Sequence, residues 1–89
     1  GTAMAGVSFN REVKEDLKRA MTHIDESKES LKRGYSNSVV LAEETGSEKY
    51  LQSAKNMEEG CRALEATFNE LTDVFGKLTQ YYTRLEEAL

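Results

Sequence analysis

The last ten residues of the chain, QYYTRLEEAL, contain the side chains best suited to recognition by another molecule. Tyr82 and Glu86 are four residues apart. On a helix this spacing puts the phenol and the carboxylate on one face at a fixed separation. An aromatic anchor beside a negative charge suits binding to a protein receptor. The alternative is that Tyr82 is one apolar position of a packed helix that ends in glutamates.

The other reactive residue types form no catalytic or metal-binding pattern. His23 is the single histidine and Cys61 the single cysteine, which excludes an internal disulfide and a cysteine-based metal cluster. We expect His23 to be solvated near Asp25 and Glu26, and Cys61 to pack in the core. The sequence therefore predicts no enzyme, no cofactor and no metal.

Composition favours one small domain of long helices. The 89 residues include no proline, and 31% of them are charged. A net charge of −4 argues against nucleic-acid binding. No apolar stretch approaches the roughly 20 residues of a membrane span. GTAMAGVSFN resembles a cloning remnant followed by a native start near Met4 or Ala5, without a classical secretory signal. We therefore expect synthesis in the cytoplasm, no membrane span, and a disordered start over residues 1–7.

The second half of the chain carries the clearest helical pattern. From Tyr50 onward apolar residues recur with spacings of four and three without interruption, which predicts one helix over residues 48–89. The residues of this helix predicted to pack within the hairpin are Met57, Cys61, Leu64, Phe68, Leu71, Phe75, Leu78 and Leu85.

The first half predicts a helix over about residues 9–43, with Ser8 or Asn10 as its N-cap. One line of large side chains and a parallel line of small ones are predicted to pack on the second helix. RGYSNS, residues 33–38, is the weakest point. We favour a continuous helix there because Leu41 keeps the spacing, and the alternative is a helix that ends at Arg33. The two lines are Leu17, Ile24 and Leu31, and Ala20, Ser27 and Gly34.

A turn is predicted over about residues 44–47. Gly46 suits a left-handed C-cap, and Ser47 suits the N-cap of the next helix. A short connection between two long helices makes them antiparallel neighbours. The predicted fold is an all-α, antiparallel two-helix hairpin over residues 8–89.

A lone hairpin buries only one stripe of each helix, and the second helix has an additional small or apolar flank. We therefore predict that a partner or a second copy completes a four-helix bundle. The residues predicted to form the partner interface are Val39, Val40, Gly60, Thr67, Val74, Tyr81 and Ala88.

Helix lengths, the Gly turn and TGSEKYLQ (residues 45–52) resemble the WXG superfamily, the small helical proteins of bacterial type VII secretion. The family carries a C-terminal export motif, Tyr-x-x-x-Asp/Glu, which Tyr82 and Glu86 match. The resemblance therefore implies that these two residues are an export signal. The family's Trp-x-Gly is absent, and Glu44 stands at the tryptophan position. The chain is in this respect most similar to the tryptophan-less partners of LXG-class toxins in Gram-positive bacteria.

This resemblance implies a targeting factor that binds the helical N-terminal domain of an LXG-type toxin. The implied partners are that domain, or a second copy, and the ATPase of the secretion machinery. If the chain itself leaves the cell, the resemblance implies the type VII route without a cleaved signal peptide, and export of the chain itself stays open. Two other functions stay open, namely a secreted homodimeric effector and an unrelated coiled-coil module.

Overall fold

The computed structural model describes the backbone of residues 2–88 and the side chains of residues 4–88. Two helices, α1 (Thr2–Thr45) and α2 (Glu48–Glu87), form a rod that measures 66 × 15 × 12 Å. Their close packing along the rod confirms the predicted all-α helical hairpin. Over the described residues, neither helix is long and apolar enough to cross a membrane.

The turn between the helices depends on a left-handed glycine. Gly46 has a φ of 69°, and its N–H donates to the carbonyl of Ala42 over 2.9 Å. This is the usual way in which a glycine satisfies a free carbonyl at a helix end. Ser47 is the N-cap of α2 in an extended conformation, but its side chain makes no capping hydrogen bond. Its N–H instead donates to Thr45 Oγ1 over 3.2 Å.

The first helix is continuous through residues 33–38, so the alternative end at Arg33 is wrong. Two small residues of this segment lie against α2. Ser38 is buried and its hydroxyl lies 3.9 Å from Met57 Sδ. A Cβ at Gly34 would lie 2.8 Å from the same sulfur atom. Packing on Met57 therefore outweighs the low helix propensity of this segment.

The start of α1 corrects two predictions. The helix begins at Thr2 instead of residue 9, so the predicted disorder is wrong for residues 2–7, and neither Ser8 nor Asn10 is an N-cap. The physical reason is tertiary packing, because Val7 is buried and a Cβ at Gly6 would lie 3.3 Å from Leu85 Cδ2. Gly1 and Leu89, at the ends of the predicted ranges, lie outside the described residues.

The face of α1 that packs on α2 also differs from the prediction. Ala20 and Ser27 are exposed, whereas Met21 and Lys28 are partly buried. Turning Met21 and the aliphatic stem of Lys28 toward α2 covers more apolar surface than Ala20 and Ser27 would. The remaining predicted packing residues of α1 are partly buried, namely Leu17, Ile24, Leu31 and Gly34.

The apolar stripe of α2 faces α1 but is not closed off from solvent. Each of its predicted packing residues is partly buried, and none is fully buried; they are Met57, Cys61, Leu64, Phe68, Leu71, Phe75, Leu78 and Leu85. Within the described residues, the buried apolar side chains are Val7 and Ala54. The hairpin therefore has a seam and no enclosed core.

Candidate functional site

The C-terminal pair of α2 lies against the N-terminal part of α1. Arg11 Nε donates to Tyr82 Oη over 3.1 Å, and Arg11 Nη2 donates to the same oxygen. Nη2 also lies 3.8 Å from Glu86 Oε1. One guanidinium thus contacts both members of the predicted signal, which the helix spacing alone had placed side by side.

Two lysines extend this cluster over the aromatic residues of α2. The Nζ atom of Lys14 lies 5.4 Å from the ring centroid of Tyr82 and 5.0 Å from that of Phe75. Lys18 Nζ lies 5.8 Å from the Phe75 centroid, and the Arg11 guanidinium 5.4 Å from that of Tyr82. The lysine distances are within the range of cation–π attraction, whereas Arg11, bonded to the hydroxyl, lies at the edge of the Tyr82 ring. The two lysines therefore lie near the aromatic rings at this end of the rod, and Arg11 lies at the phenol oxygen.

Arg11 is charged at any physiological pH, and these neighbours raise its pKa further. Its hydrogen bond with Tyr82 raises the pKa of the guanidinium most, and electrostatic attraction to the Tyr82 oxygen and then to the Glu86 carboxylate acts in the same direction. Burial opposes the rise only in part. A cation therefore stands between Tyr82 and Glu86 throughout the physiological pH range.

The contact between Arg11 and Glu86 defines a charged side of the hairpin. Arg11 and Glu86 each lie on a helix flank next to the seam. The residues of each flank recur every seven positions along the helix, and the two flanks carry most of the charged residues beside the seam. The charged residues of this charged side are Arg11, Lys18, Asp25 and Lys32 from α1, with Glu58, Glu65 and Glu86 from α2, and its uncharged positions are Val39, Thr72 and Thr79.

The opposite flanks of the two helices form an uncharged side. Its residues are again seven apart along each helix, and none of the twelve carries a formal charge, although 31% of the chain is charged. They are Gly6, Val13, Ala20, Ser27, Gly34 and Leu41 from α1, and Ser53, Gly60, Thr67, Val74, Tyr81 and Ala88 from α2. Within this side, Val74 is 43% exposed and Tyr81 is 51% exposed. The uncharged side therefore carries no formal charge and remains partly exposed to water.

The predicted partner interface divides over different surfaces. Gly60, Thr67, Val74, Tyr81 and Ala88 belong to the uncharged side, where a Cβ at Gly60 would lie 3.0 Å from Leu31 Cδ1. Val39 falls on the flank of Arg11 and Lys32, which is the charged side. Val40 is half exposed and points away from the seam. Five of the seven residues thus share one side of the hairpin, along α2, and Val39 and Val40 do not; whether they bind a partner stays a prediction.

The other candidate residues stay isolated from one another. His23 is exposed and lies 3.6 Å from a carboxylate oxygen of Glu26. Cys61 is half-buried, and its Sγ lies 3.7 Å from the carbonyl oxygen of Lys28. Across the described residues, no group of three or more His, Cys, Asp or Glu side chains could hold a metal ion.

Sequence reasoning missed Arg11 and Lys14 as neighbours of the Tyr82–Glu86 pair. The distances from the predicted turn could have indicated this contact, because Arg11 lies almost as far before Gly46 as Tyr82 lies after it. Two antiparallel helices of equal rise bring such residues to the same level of the rod.

No protein-family model, curated protein or solved structure matches this chain. The described geometry defines a class of architecture, an antiparallel helical hairpin with one charged side, one uncharged side and a cation-covered tyrosine at its open end.

Proposed function

We propose that this hairpin is a non-catalytic binding and targeting protein that pairs with a second helical hairpin and carries a C-terminal export signal. The proposed partner is the helical N-terminal domain of an LXG-type toxin of a Gram-positive type VII secretion system. The proposed signal is Tyr82 with Glu86, and its reader is the secretion ATPase.

The open seam is the observation that carries this proposal. The chain exposes 6403 Å² of surface. A compact protein of the same mass is expected to expose about 5,200 Å². The difference, on the order of 1,000 Å², follows from the 66 × 15 × 12 Å rod shape, and a partner would bury an area of comparable size. A second hairpin on the uncharged side would cover Val74 and Tyr81 without burying an unpaired charge from that side.

The position of the signal supports the targeting part of the proposal. Tyr82 and Glu86 share one face in the last turns of α2, beside the charged side, and Tyr81 points to the uncharged side. A partner on the uncharged side would therefore not itself cover the charged side, where Arg11 contacts Tyr82 and Glu86.

Co-expression with a candidate toxin domain in the native host tests the proposal. We expect the two proteins to co-purify, and Tyr82→Ala or Glu86→Ala to stop export of the partner while helicity stays unchanged. Normal export with both variants would show that Tyr82 and Glu86 are not an export signal. A stable homodimer that does not bind the toxin domain would instead support the second candidate, a secreted homodimeric effector, for which a second copy covers the same surface.

A further inference from the structure

We infer that Arg11 and Lys14 form a clasp that covers Tyr82 in the isolated hairpin, so that a protein that contacts the phenol must first displace them. The physical contact stands on the geometry alone. Its biological meaning, control of the export signal, rests on the proposed function.

The clasp engages each group that a receptor would use. The hydroxyl of Tyr82 accepts two N–H groups of Arg11, and the carboxylate of Glu86 lies 3.8 Å from the same guanidinium. The ring of Tyr82 has the Arg11 guanidinium and the Lys14 ammonium each 5.4 Å from its centroid. An incoming side chain therefore meets cations in place of a free phenol and carboxylate.

Both cations come from α1 and reach α2 only because the hairpin closes. Arg11 and Tyr82 are separated by 71 positions in the chain. Lys14 is partly buried and bridges Phe75 and Tyr82, one heptad apart on α2. The clasp is therefore a property of the folded hairpin, and an isolated C-terminal peptide would present Tyr82 without it.

The clasp is reversible because its groups remain in contact with water. The side chains of Arg11 and Glu86 are 65% and 47% exposed. Ion pairs and cation–π contacts between such exposed groups are weak, and salt screens them. We therefore expect that a binding partner can displace Arg11 and Lys14 at a small cost in binding free energy, and that the clasp does not close the site permanently.

Tyr81 provides an internal reference for this inference. It neighbours Tyr82 but belongs to the uncharged side, where it is 51% exposed. The described contacts include no cation over its ring. Oxidation at Tyr81 and Tyr82 can therefore be compared within one molecule.

Hydroxyl-radical footprinting of the full chain, read by mass spectrometry, tests the clasp because radical oxidation follows solvent access. We expect Tyr82 to oxidise more slowly than Tyr81. Arg11→Ala/Lys14→Ala should raise Tyr82 oxidation roughly two- to five-fold, as expected for the loss of weak contacts. The control Arg19→Ala/Lys55→Ala removes two exposed cations elsewhere and should leave Tyr82 unchanged. Equal oxidation of Tyr82 in all three proteins would overturn the inference.

A salt series keeps the test valid if the double variant unfolds. High salt should raise Tyr82 oxidation in the unaltered chain and leave Tyr81 unchanged, because only the former is covered by charges. An oxidation rate of Tyr82 that does not respond to salt would contradict the clasp. A salt-dependent Tyr82 together with normal export by Tyr82→Ala would instead refute the proposed function and leave the clasp standing.

Discussion

Arg11, in the first third of α1, donates from Nε to the hydroxyl of Tyr82, in the last turns of α2, over 3.1 Å. This contact joins the two open ends of the hairpin, which the turn at Gly46 leaves farthest from their covalent connection. It also places a positive charge at the centre of the residues proposed as the export signal.

Tyr82→Phe is expected to release the Arg11 guanidinium while the ring stays in place. The Arg11 Nε–H resonance in a ¹⁵N NMR spectrum should exchange faster with water, because its acceptor is gone. Tyr81→Phe is the matched control and should leave that resonance unchanged. An Arg11 resonance that is identical in both variants would contradict the hydrogen bond.

The pH dependence of this contact follows from the raised pKa of Arg11. A cation whose pKa is higher in the folded state stabilises that state at every pH below its ordinary value, and the contribution is lost only as the pH rises through the higher value. Ordinary arginine already titrates above about 12. Arg11 therefore stays charged between about pH 6 and pH 9, and its own titration does not weaken the contact in this range.

Two glycines of the helices should respond differently to alanine. Gly76 has open space around a Cβ, so Gly76→Ala should stabilise the protein by about 0.5–1 kcal/mol through helix propensity. At Gly34 the new Cβ would lie 2.8 Å from Met57 Sδ, so that the gain is offset by displacement of Met57. Urea unfolding measures the change in the free energy of unfolding for both variants. An equal gain at Gly34 would show that Met57 yields at no cost.

Gly46→Ala should destabilise the hairpin although the site has room for a methyl group. Nothing lies within 4 Å of a Cβ there, but the φ of 69° is costly for any other L-residue. The expected loss is about 1 kcal/mol. Thermal unfolding of Gly46→Ala beside Gly76→Ala separates backbone strain from helix propensity, and a rise in melting temperature at Gly46 would contradict the left-handed turn.

Asn10→Leu should stabilise the hairpin. Asn10 is only 7% exposed, and its Nδ2 has no hydrogen-bond partner among the described residues. Replacing an unsatisfied buried amide with an apolar side chain is expected to contribute about 1–2 kcal/mol. The control Asn37→Leu changes an exposed position of the same helix and should have little effect on urea unfolding. A loss of stability at Asn10 would mean that its amide is satisfied in solution.

Partner binding should depend on the uncharged side. Val74→Lys places a charge in the proposed interface, whereas Thr72→Lys adds the same charge on the flank of Glu65 and Glu86. We expect only Val74→Lys to prevent formation of a larger complex, because a buried unpaired charge is costly. Sedimentation velocity with the toxin domain, and with the chain alone, measures this. Equal complex formation by the two variants would show that the partner binds a surface other than the uncharged side.

The sequence by itself determined the architecture of this protein. The uninterrupted spacing of α2, the glycine and serine at the turn and the absence of proline were sufficient to predict two antiparallel helices. These features are local, because each depends on residues within about one or two turns of one another.

Only the tertiary structure decided which face of α1 packs and what surrounds Tyr82. Next to the line of Leu17 and Ile24, the first helix has two candidate lines, one through Ala20 and one through Met21. Spacing fits both, and the closed hairpin selects Met21 because it covers more apolar surface. The same rotation brings Arg11 to the hydroxyl of Tyr82, a contact between residues 71 positions apart that no local pattern encodes.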